Sequence, residues 1–349
     1  YKSTNTSLLH RHQTQKLEKH EKPILITGIN GFIGSHLAER LLKEGMQVRG
    51  IVRRIKAAKW LEEKGVEIVT GDLLDASTIK SAVEGCSIVV HAAVYNGGAA
   101  GSKELEWRTN VEGTTNVLAA CKACNIERIV YISSIAVYGI NTAPLLDEGM
   151  PTPPVGELYP DCKITAETTV RASHLPYVIV RPAYTYGPRG GAWTVSIVNQ
   201  ILRGSKLLGR DDGIITPGYI DNVIDGLFLT ITKNAAIGCT FNICDDYTVT
   251  YREFFLAYAR ILGLNSMPTT PQWIVTLRRS ETGWWLRKRI RKMRGREQPG
   301  KWSSQFRFNP SQYSIEHAKD TLGYSPKVDF FEGLRRTEDW LRENNFLNS

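Results

Sequence analysis

The stretch Thr27-Gly28-Ile29-Asn30-Gly31-Phe32-Ile33-Gly34 decides the predicted fold of this 349-residue chain. It completes the short apolar run 23–28, which is typical of a buried parallel strand, and leads into the helically spaced segment 32–44. Its three glycines allow a tight turn, the close approach of a pyrophosphate and tight packing of helix against strand. The free N–H groups of the first helical turn then face the anion. Residues 28–34 are therefore predicted to bind a dinucleotide.

Outward from this motif, predicted strands alternate with predicted helices. The further strands are 47–52, 66–69, 87–91, 128–133, 177–181 and 240–243, and the further helices are 77–84, 104–124, 159–173 and 219–232. This alternation is typical of βαβ units on a parallel sheet. We predict an α/β fold, a Rossmann-type doubly wound parallel sheet with a smaller, discontinuous, mixed substrate domain. The predicted boundaries are a flexible basic arm at 1–22, an NAD(P)-binding domain at 23–182 plus 214–245, and a substrate-binding domain at 183–213 plus 246–346.

Composition narrows the class of protein. Apolar types make up 42% of the residues and charged types 23%, which is typical of a soluble globular protein. The sequence contains no run of about eighteen apolar residues, so no membrane span is predicted. Residues 1–22 lack the apolar core of a secretory signal. Six cysteines without a dense framework suit a reducing compartment, and Cys121 and Cys124 have no second pair at zinc spacing. We expect a cytoplasmic enzyme without a metal site.

The formal net charge of +9 is concentrated in two segments. Residues 1–22 carry a net +3 and residues 278–301 a net +8, so the rest of the chain is close to neutral. A nucleic-acid-binding enzyme would spread its cations over the fold itself. We therefore expect no nucleic-acid partner.

Residues 284–294 combine a tryptophan pair with six cations. If helical, they place Leu286, Ile290 and Met293 on one stripe. Three interpretations stay open. The segment is a lid helix that packs its stripe on the substrate domain, a peripheral contact with an anionic membrane, or a site for an acidic partner or substrate.

The end of the second predicted strand bears on the choice of dinucleotide. An acid there would accept the ribose hydroxyls of NAD, but the chain has Arg53 and Arg54. Two guanidinium groups would pair with the 2′-phosphate of NADP, so we predict NADP as the cofactor. The alternative cofactor is NAD, and the alternative role of the two arginines is a solvated pair at a helix start. Asp72-Leu73 follows the third strand. Its carboxylate is predicted either to accept the adenine amino group or to cap a helix.

A second group of residues is predicted to carry proton chemistry. Tyr159 and Lys163 lie four apart on one face of a predicted helix, where an ammonium would lower the pKa of the phenol. Ser133-Ser134 ends the fifth strand, where a hydroxyl can bind a reacting oxygen. His91-Ala92-Ala93 ends the fourth strand, with small residues where a cofactor would lie against the backbone. A single histidine such as His91 is more often packed than catalytic.

Taken together, these motifs resemble the extended short-chain dehydrogenase/reductase family, which includes nucleotide-sugar epimerases and dehydratases. The resemblance covers about residues 23–345. The matching motifs are 27–34, Asp72-Leu73, His91-Ala92-Ala93, Asn110, Ser134 within 133–139, Tyr159 with Lys163, Arg181-Pro182, Tyr186-Gly187-Pro188 and Leu322-Gly323-Tyr324-Ser325-Pro326.

The resemblance implies a role for each matching residue. Tyr159 would be the acid/base, Lys163 would hold the nicotinamide ribose and tune Tyr159, and Ser134 would bind the substrate oxygen. Asn110 would support the site. The implied cofactor contacts also include Ser133, Pro182 and Tyr184. Homodimers through the two long helices are common in such proteins, so we expect one here.

One departure narrows the choice within the family. Nucleotide-sugar members usually carry a diphosphate-binding arginine where this chain has Ile215, and Tyr219-Ile220-Asp221-Asn222-Val223 is more similar to the 3β-hydroxysteroid dehydrogenase-like branch. We therefore expect an NADP-dependent oxidoreductase that acts on a secondary alcohol or ketone of a bulky, largely apolar small molecule. The alternatives are an epimerase or dehydratase of a nucleotide sugar, and a non-enzymatic cofactor-binding scaffold or redox sensor.

Overall fold

The computed structural model describes residues 22–96, 102–207, 209, 213–293 and 306–347. Almost all of the predicted basic arm at 1–22, and the end of the basic segment at 294–301, lie outside the described residues. Among the residues that are described, no helix is long and apolar enough to cross a bilayer.

Strands and helices alternate along the chain as predicted. The strands are β1 (Ile24–Thr27), β2 (Val48–Val52), β3 (Glu67–Thr70), β4 (Ile88–His91), β5 (Arg128–Ile132), β6 (Leu145–Leu146), β7 (Tyr177–Pro182), β8 (Tyr184–Tyr186), β9 (Ile214–Ile215), β10 (Pro217–Tyr219), β11 (Thr240–Ile243), β12 (Val249–Thr250) and β13 (Gln312–Tyr313). The helices are α1 (Phe32–Lys43), α2 (Lys59–Glu62), α3 (Ala76–Val83), α4 (Lys103–Trp107), α5 (Gly113–Ala123), α6 (Leu158–Ala172), α7 (Ser196–Leu202), α8 (Ile220–Thr232), α9 (Tyr251–Ile261), α10 (Gln272–Arg279), α11 (Glu281–Met293), α12 (Glu316–Leu322) and α13 (Phe330–Glu343).

Seven strands form one parallel sheet in the order β3-β2-β1-β4-β5-β7-β11. Successive side chains of a strand point to opposite faces, so Ile24 and Ile26 join one apolar cluster and Leu25 joins the other. The first cluster includes buried residues of α1 and α8, and the second includes those of α3, α5 and α6. Helices thus cover both faces, which confirms the predicted doubly wound α/β fold.

Within the described residues, three short strand pairs lie outside the seven-stranded sheet. β8 pairs with β10 in parallel, β9 with β12 in antiparallel orientation, and β6 with β13 in parallel. The larger apolar cluster is continuous across this region, since it contains Ile24 of β1 together with Tyr184 of β8 and Phe254 of α9. The predicted domain boundaries therefore stay a prediction.

The predicted helix 104–124 differs from the structure in its middle. Between α4 and α5 the chain makes a π-helical turn, Arg108–Glu112, and a second such turn, Gly191–Val195, precedes α7. A π-helical turn holds one more residue than an α-helical turn and is frequent at functional sites. Uniform helical spacing in a sequence does not reveal this extra residue.

Candidate active site

A cleft of about 530 Å³ opens at the carboxyl edge of the parallel sheet, where such folds bind ligands. The predicted site residues that line it are Gly28, Asn30, Gly31, Phe32, Ile33, Gly34, Arg53, Asp72, Leu73, Ala92, Ala93, Ser133, Ser134, Tyr159 and Pro182. The predicted site residues outside its lining are Arg54, His91, Asn110, Lys163 and Tyr184. We call the part formed by Ser133, Ser134 and Tyr159 the tyrosine end, and the part formed by Arg53 and Asp72 the arginine end.

The glycine turn between β1 and α1 has no room for a side chain at Gly28 or Gly34. Gly28 has a φ of +68°, and a Cβ there would lie 2.6 Å from the Cα of Ala93. A Cβ on Gly34 would lie 2.4 Å from the carbonyl oxygen of Gly28. The turn therefore brings bare backbone and the start of α1 to the cleft, which suits a pyrophosphate.

At the arginine end, the side chains are exposed. Arg53 lines the cleft directly after β2, whereas the exposed Arg54 does not. Asp72 accepts a hydrogen bond from the backbone N–H of Leu74 at 2.9 Å. The cap of α3 is Asp75, which accepts from the N–H of Ser77 and of Thr78, so the helix-cap interpretation of Asp72 is wrong. The adenine contact of Asp72 stays a prediction.

His91 lies behind the cleft as a packed residue. Its Nδ1 is 2.7 Å from the Thr27 hydroxyl and its Nε2 is 3.0 Å from the Thr114 hydroxyl. Burial, and then the charge of Lys163, lower the pKa of His91 to about 3, so the ring is neutral. The Thr27 hydroxyl also accepts from the N–H of Ala93 at 3.1 Å. His91 therefore supports the small-residue turn that lines the cleft.

At the tyrosine end, Ser134 and Tyr159 come together from different elements. Ser134 caps a short 3-10 turn by accepting from the N–H of Ala136 at 3.1 Å, while Tyr159 lies in the first turn of α6. Burial raises the pKa of the Tyr159 phenol, a hydrogen bond from Ser134 partly offsets this rise, and the Glu106 carboxylate adds to it. A phenol in this environment is protonated at neutral pH.

The expected lowering of the Tyr159 pKa by Lys163 is not observed, and the orientation of the lysine explains why. Its ammonium donates to the carbonyl oxygen of Ile132 at 2.7 Å and lies 5.0 Å from the centre of the Tyr131 ring. Burial lowers the pKa of Lys163 to about 8, although Glu167 acts in the opposite direction. The lysine thus faces β5, and burial dominates the pKa of both groups.

An ion pair that the sequence analysis did not identify lies behind Lys163. Glu167, one helical turn along α6, accepts two hydrogen bonds from Arg181 at 2.9 and 2.7 Å. Burial alone would raise the pKa of the Glu167 carboxyl, but Arg181 holds it below its ordinary value. Arg181 also donates to the Tyr138 hydroxyl at 2.9 Å. No local spacing in the sequence signals this pair, because Glu167 lies on α6 and Arg181 on β7.

Asn110 lies in the first π-helical turn and fixes the loop after β4. Its side-chain amide donates to the carbonyl oxygen of Tyr95 at 2.8 Å, and its oxygen accepts from the N–H of Tyr95 at 2.8 Å. Tyr95 lines the cleft. Asn110 therefore supports the wall of the site from behind.

The remaining wall of the cleft is largely apolar. Its lining residues outside the predicted set include Val94, Tyr95, Thr109, Ala183, Thr185, Gly191, Ala192 and Trp193. Tyr184 points the other way and packs edge-on against Trp193, with ring centres 4.8 Å apart. Ile215, where nucleotide-sugar members carry arginine, is fully buried in the apolar cluster. Among the described lining residues, the one cation is Arg53, at the far end.

Comparisons with known proteins identify the family of the chain. Residues 24–244 match the NAD dependent epimerase/dehydratase family. The 2-alkyl-3-oxoalkanoate reductase of Shewanella oneidensis is 29% identical over 335 residues, which cover 89% of this chain and 84% of the relative. The 3 beta-hydroxysteroid dehydrogenase/Delta 5-->4-isomerase of Mycobacterium tuberculosis is 30% identical over 250 residues, 66% of this chain and 67% of the relative.

A solved structure shows the same fold. The UDP-glucose 4-epimerase of Thermotoga maritima superposes with a TM-score of 0.74 at 21% sequence identity, covering 93% of this chain and 99% of that chain. The predicted resemblance, including its 3β-hydroxysteroid dehydrogenase-like pattern, is confirmed by these matches. The chain belongs to the NAD-dependent epimerase/dehydratase family and is an NAD(P)-dependent oxidoreductase of the extended short-chain dehydrogenase/reductase type.

Proposed function

We propose that the protein is an NADP-dependent ketoreductase for a bulky, largely apolar substrate with a ketone or secondary alcohol. One observation supports this proposal above the others. Ser134 and Tyr159 lie side by side in the same cleft as the apolar wall around Ala192 and Trp193. The similarity to a 2-alkyl-3-oxoalkanoate reductase and to a 3 beta-hydroxysteroid dehydrogenase supports the same substrate class.

The proton step follows from the state of the tyrosine. When bound, the nicotinamide supplies hydride to the carbonyl carbon, or accepts it from the carbinol carbon. Tyr159, whose raised pKa keeps it protonated at neutral pH, donates its proton to the carbonyl oxygen as that oxygen becomes a hydroxyl. Ser134 donates a hydrogen bond to the same oxygen and so stabilises its developing charge.

Lys163 acts from behind the tyrosine in this proposal. Lys163 lies one helical turn after Tyr159 on α6. Its ammonium donates a hydrogen bond to the carbonyl oxygen of Ile132, at the end of β5. In this proposal the same ammonium would also donate to the ribose hydroxyls of the nicotinamide nucleotide. The Glu167–Arg181 pair fixes the next turn of α6 against β7.

The proposed preference for NADP rests on the arginine end. Arg53 lines the cleft after β2, and no acidic residue stands at that position. Guanidinium groups pair well with phosphate monoesters, whereas ribose hydroxyls favour a carboxylate.

The expected homodimer through α4, α5 and α6 also stays a proposal, which light scattering of the purified protein would test.

Product analysis separates ketoreductase from epimerase. We expect one NADPH to be consumed per molecule of a 2-alkyl-3-oxoalkanoate or a 3-ketosteroid converted, and no conversion of UDP-glucose or dTDP-glucose. An epimerase or dehydratase would convert the sugar nucleotide without net loss of NADPH. That outcome, or NADPH retention without turnover of any of these compounds, would contradict the proposal.

A further inference from the structure

Helices α10 and α11, which we call the basic helix pair, expose an unusual amount of apolar surface. Trp273 is 69% exposed and Met293 73% exposed, and Leu277, Trp285 and Leu286 are about half exposed. Five of the fourteen exposed large hydrophobic residues of the described chain therefore lie within 22 consecutive positions. Scattered exposed hydrophobics are ordinary, but a concentration of this kind marks an interaction surface.

The same surface carries an excess of positive charge. Helix α11 contains five cations and a single acid, Glu281, in its first turn. Lys288 lies over the Trp284 ring at 5.1 Å and Arg289 over the Trp285 ring at 5.5 Å. Within the described part of the chain, no carboxylate pairs with Lys288, Arg289 or Lys292. The helix pair thus presents cations and aromatic rings together.

Helix α13 provides a contrast within the same chain. It also carries several arginines, but Arg335 pairs with Glu332 and Asp339, and Arg342 pairs with Glu338, each at 2.6 to 2.8 Å. Its one strongly exposed hydrophobic residue is Phe331, at 78%. Arg335 and Arg342 of α13 are paired with acids of the same helix, whereas Lys288, Arg289 and Lys292 of α11 have no carboxylate partner among the described residues.

We infer that the basic helix pair docks on an anionic membrane surface. Exposed Leu, Met and Trp side chains gain by entering the boundary between headgroups and acyl chains, while lysines and arginines reach anionic headgroups. A second copy of the chain would bring an equally positive helix and be repelled. Single-stranded nucleic acid could stack on the tryptophans, but it offers no apolar phase for Leu277, Leu286 and Met293.

The position of the helix pair connects docking with the cleft. The chain before α10 bridges Leu207 through Thr269, and Gln272 packs against Gly209. Leu207 and Gly209 follow α7, which in turn follows the π-helical turn at 191–195. Residues of that turn line the cleft. Docking would therefore hold the substrate-side domain at a bilayer, where a bulky apolar substrate concentrates. This last step rests on the proposed function, but docking itself does not.

Vesicle binding without substrate tests the inference independently of the reaction. We would measure flotation of the full-length protein with vesicles of phosphatidylcholine alone, and of equal parts phosphatidylcholine and phosphatidylglycerol. We expect binding only to the anionic vesicles, and its loss in about 1 M salt, where the Debye length falls to about 3 Å. In the unmodified protein, brominated phosphatidylglycerol should quench the tryptophan fluorescence.

Matched variants locate the surface. Lys288→Glu/Arg289→Glu should reduce partitioning by at least about tenfold, since each cation contributes about fivefold near an anionic surface. Trp285→Ser/Leu286→Ser should also reduce it, whereas Phe331→Ser and Arg335→Glu on α13 should bind as the parent does. Circular dichroism confirms that each variant is folded.

Three outcomes of the binding assays would overturn the inference. They are equal binding to both vesicle types or to neither, unchanged binding of both α11 variants, and tighter binding to a single-stranded oligonucleotide than to anionic vesicles. Absent brominated-lipid quenching in the parent would overturn it as well, without reliance on any variant. A protein that docks but reduces no ketone would contradict only the proposed function.

Discussion

The two ends of the cleft are built on different physical principles. Behind the tyrosine end, Lys163 and the Glu167–Arg181 pair are buried and hydrogen-bonded. At the arginine end, Arg53 is an exposed side chain on a loop. Buried groups lose much when a partner is removed, whereas exposed charges are screened by water and salt. The tyrosine end should therefore determine whether the enzyme works, and the arginine end how tightly it holds one cofactor rather than another.

The largest effect is expected from Tyr159→Phe. The ring still fills its place, but the proton donor is gone, so kcat should fall by about 10²–10⁴, the usual contribution of a positioned acid. The affinity for NADP, measured by fluorescence titration, should change little because the arginine end is intact. Turnover close to that of the parent would remove Tyr159 from the mechanism.

Glu167→Ala tests the buried support of the same end. It leaves the Arg181 guanidinium buried without its carboxylate, which should lower the free energy of unfolding by about 3–5 kcal/mol. Urea denaturation measures this change. Glu332→Ala, which removes exposed ion pairs on α13, should have little effect. Equal destabilisation by the two substitutions would erase the distinction between buried and exposed charge.

The pH profile tests Lys163. Because burial lowers its pKa to about 8, the ammonium is present below that pH and is lost as the pH rises through it. We expect kcat/KM to fall about tenfold per pH unit above this value. Lys163→Arg keeps a cation at every pH, so its activity, though lower, should lack that alkaline fall. The same fall in both proteins would assign it to another group.

The smallest effect is expected at the arginine end. Arg53→Ala should weaken NADP binding by about tenfold, the lower range for a hydrogen bond to a charged group because the side chain is exposed, and leave NAD binding unchanged. Arg54→Ala is the matched control, since Arg54 is also exposed but does not line the cleft. Calorimetry with both cofactors checks this. Equal affinities of the parent for NADP and NAD would contradict the proposed preference.

Much of this site could be predicted from sequence because its signals are local. The glycine turn, Ser134 and Tyr159 each follow from a short motif next to a recognisable strand or helix. Tyr184 shows where such reasoning fails. Side chains alternate along a strand, so Ala183 and Thr185 face the cleft while Tyr184 faces the core. The motif identified the segment around Tyr184 as part of the site. Which of its side chains face the cleft depends on how β8 pairs with β10.

Other features depend on packing between distant parts of the chain. Glu167 meets Arg181 only because α6 packs on β7, and Trp193 reaches the cleft only because the chain turns back after β8. The pKa of Tyr159 likewise reflects its burial rather than its spacing from Lys163. None of these follows from residue spacing.

The π-helical turn at Arg108–Glu112 has a consequence for how this enzyme can change. An extra residue rotates everything after it by about 100° around the helix axis. Glu106 before the turn and Asn110 within it both face inward, as does Thr114 after it. Deleting one residue here would leave a regular helix but swing Asn110 away from Tyr95. Insertions and deletions at this turn are thus a route by which relatives of this protein could reshape the wall of the cleft while keeping the helix.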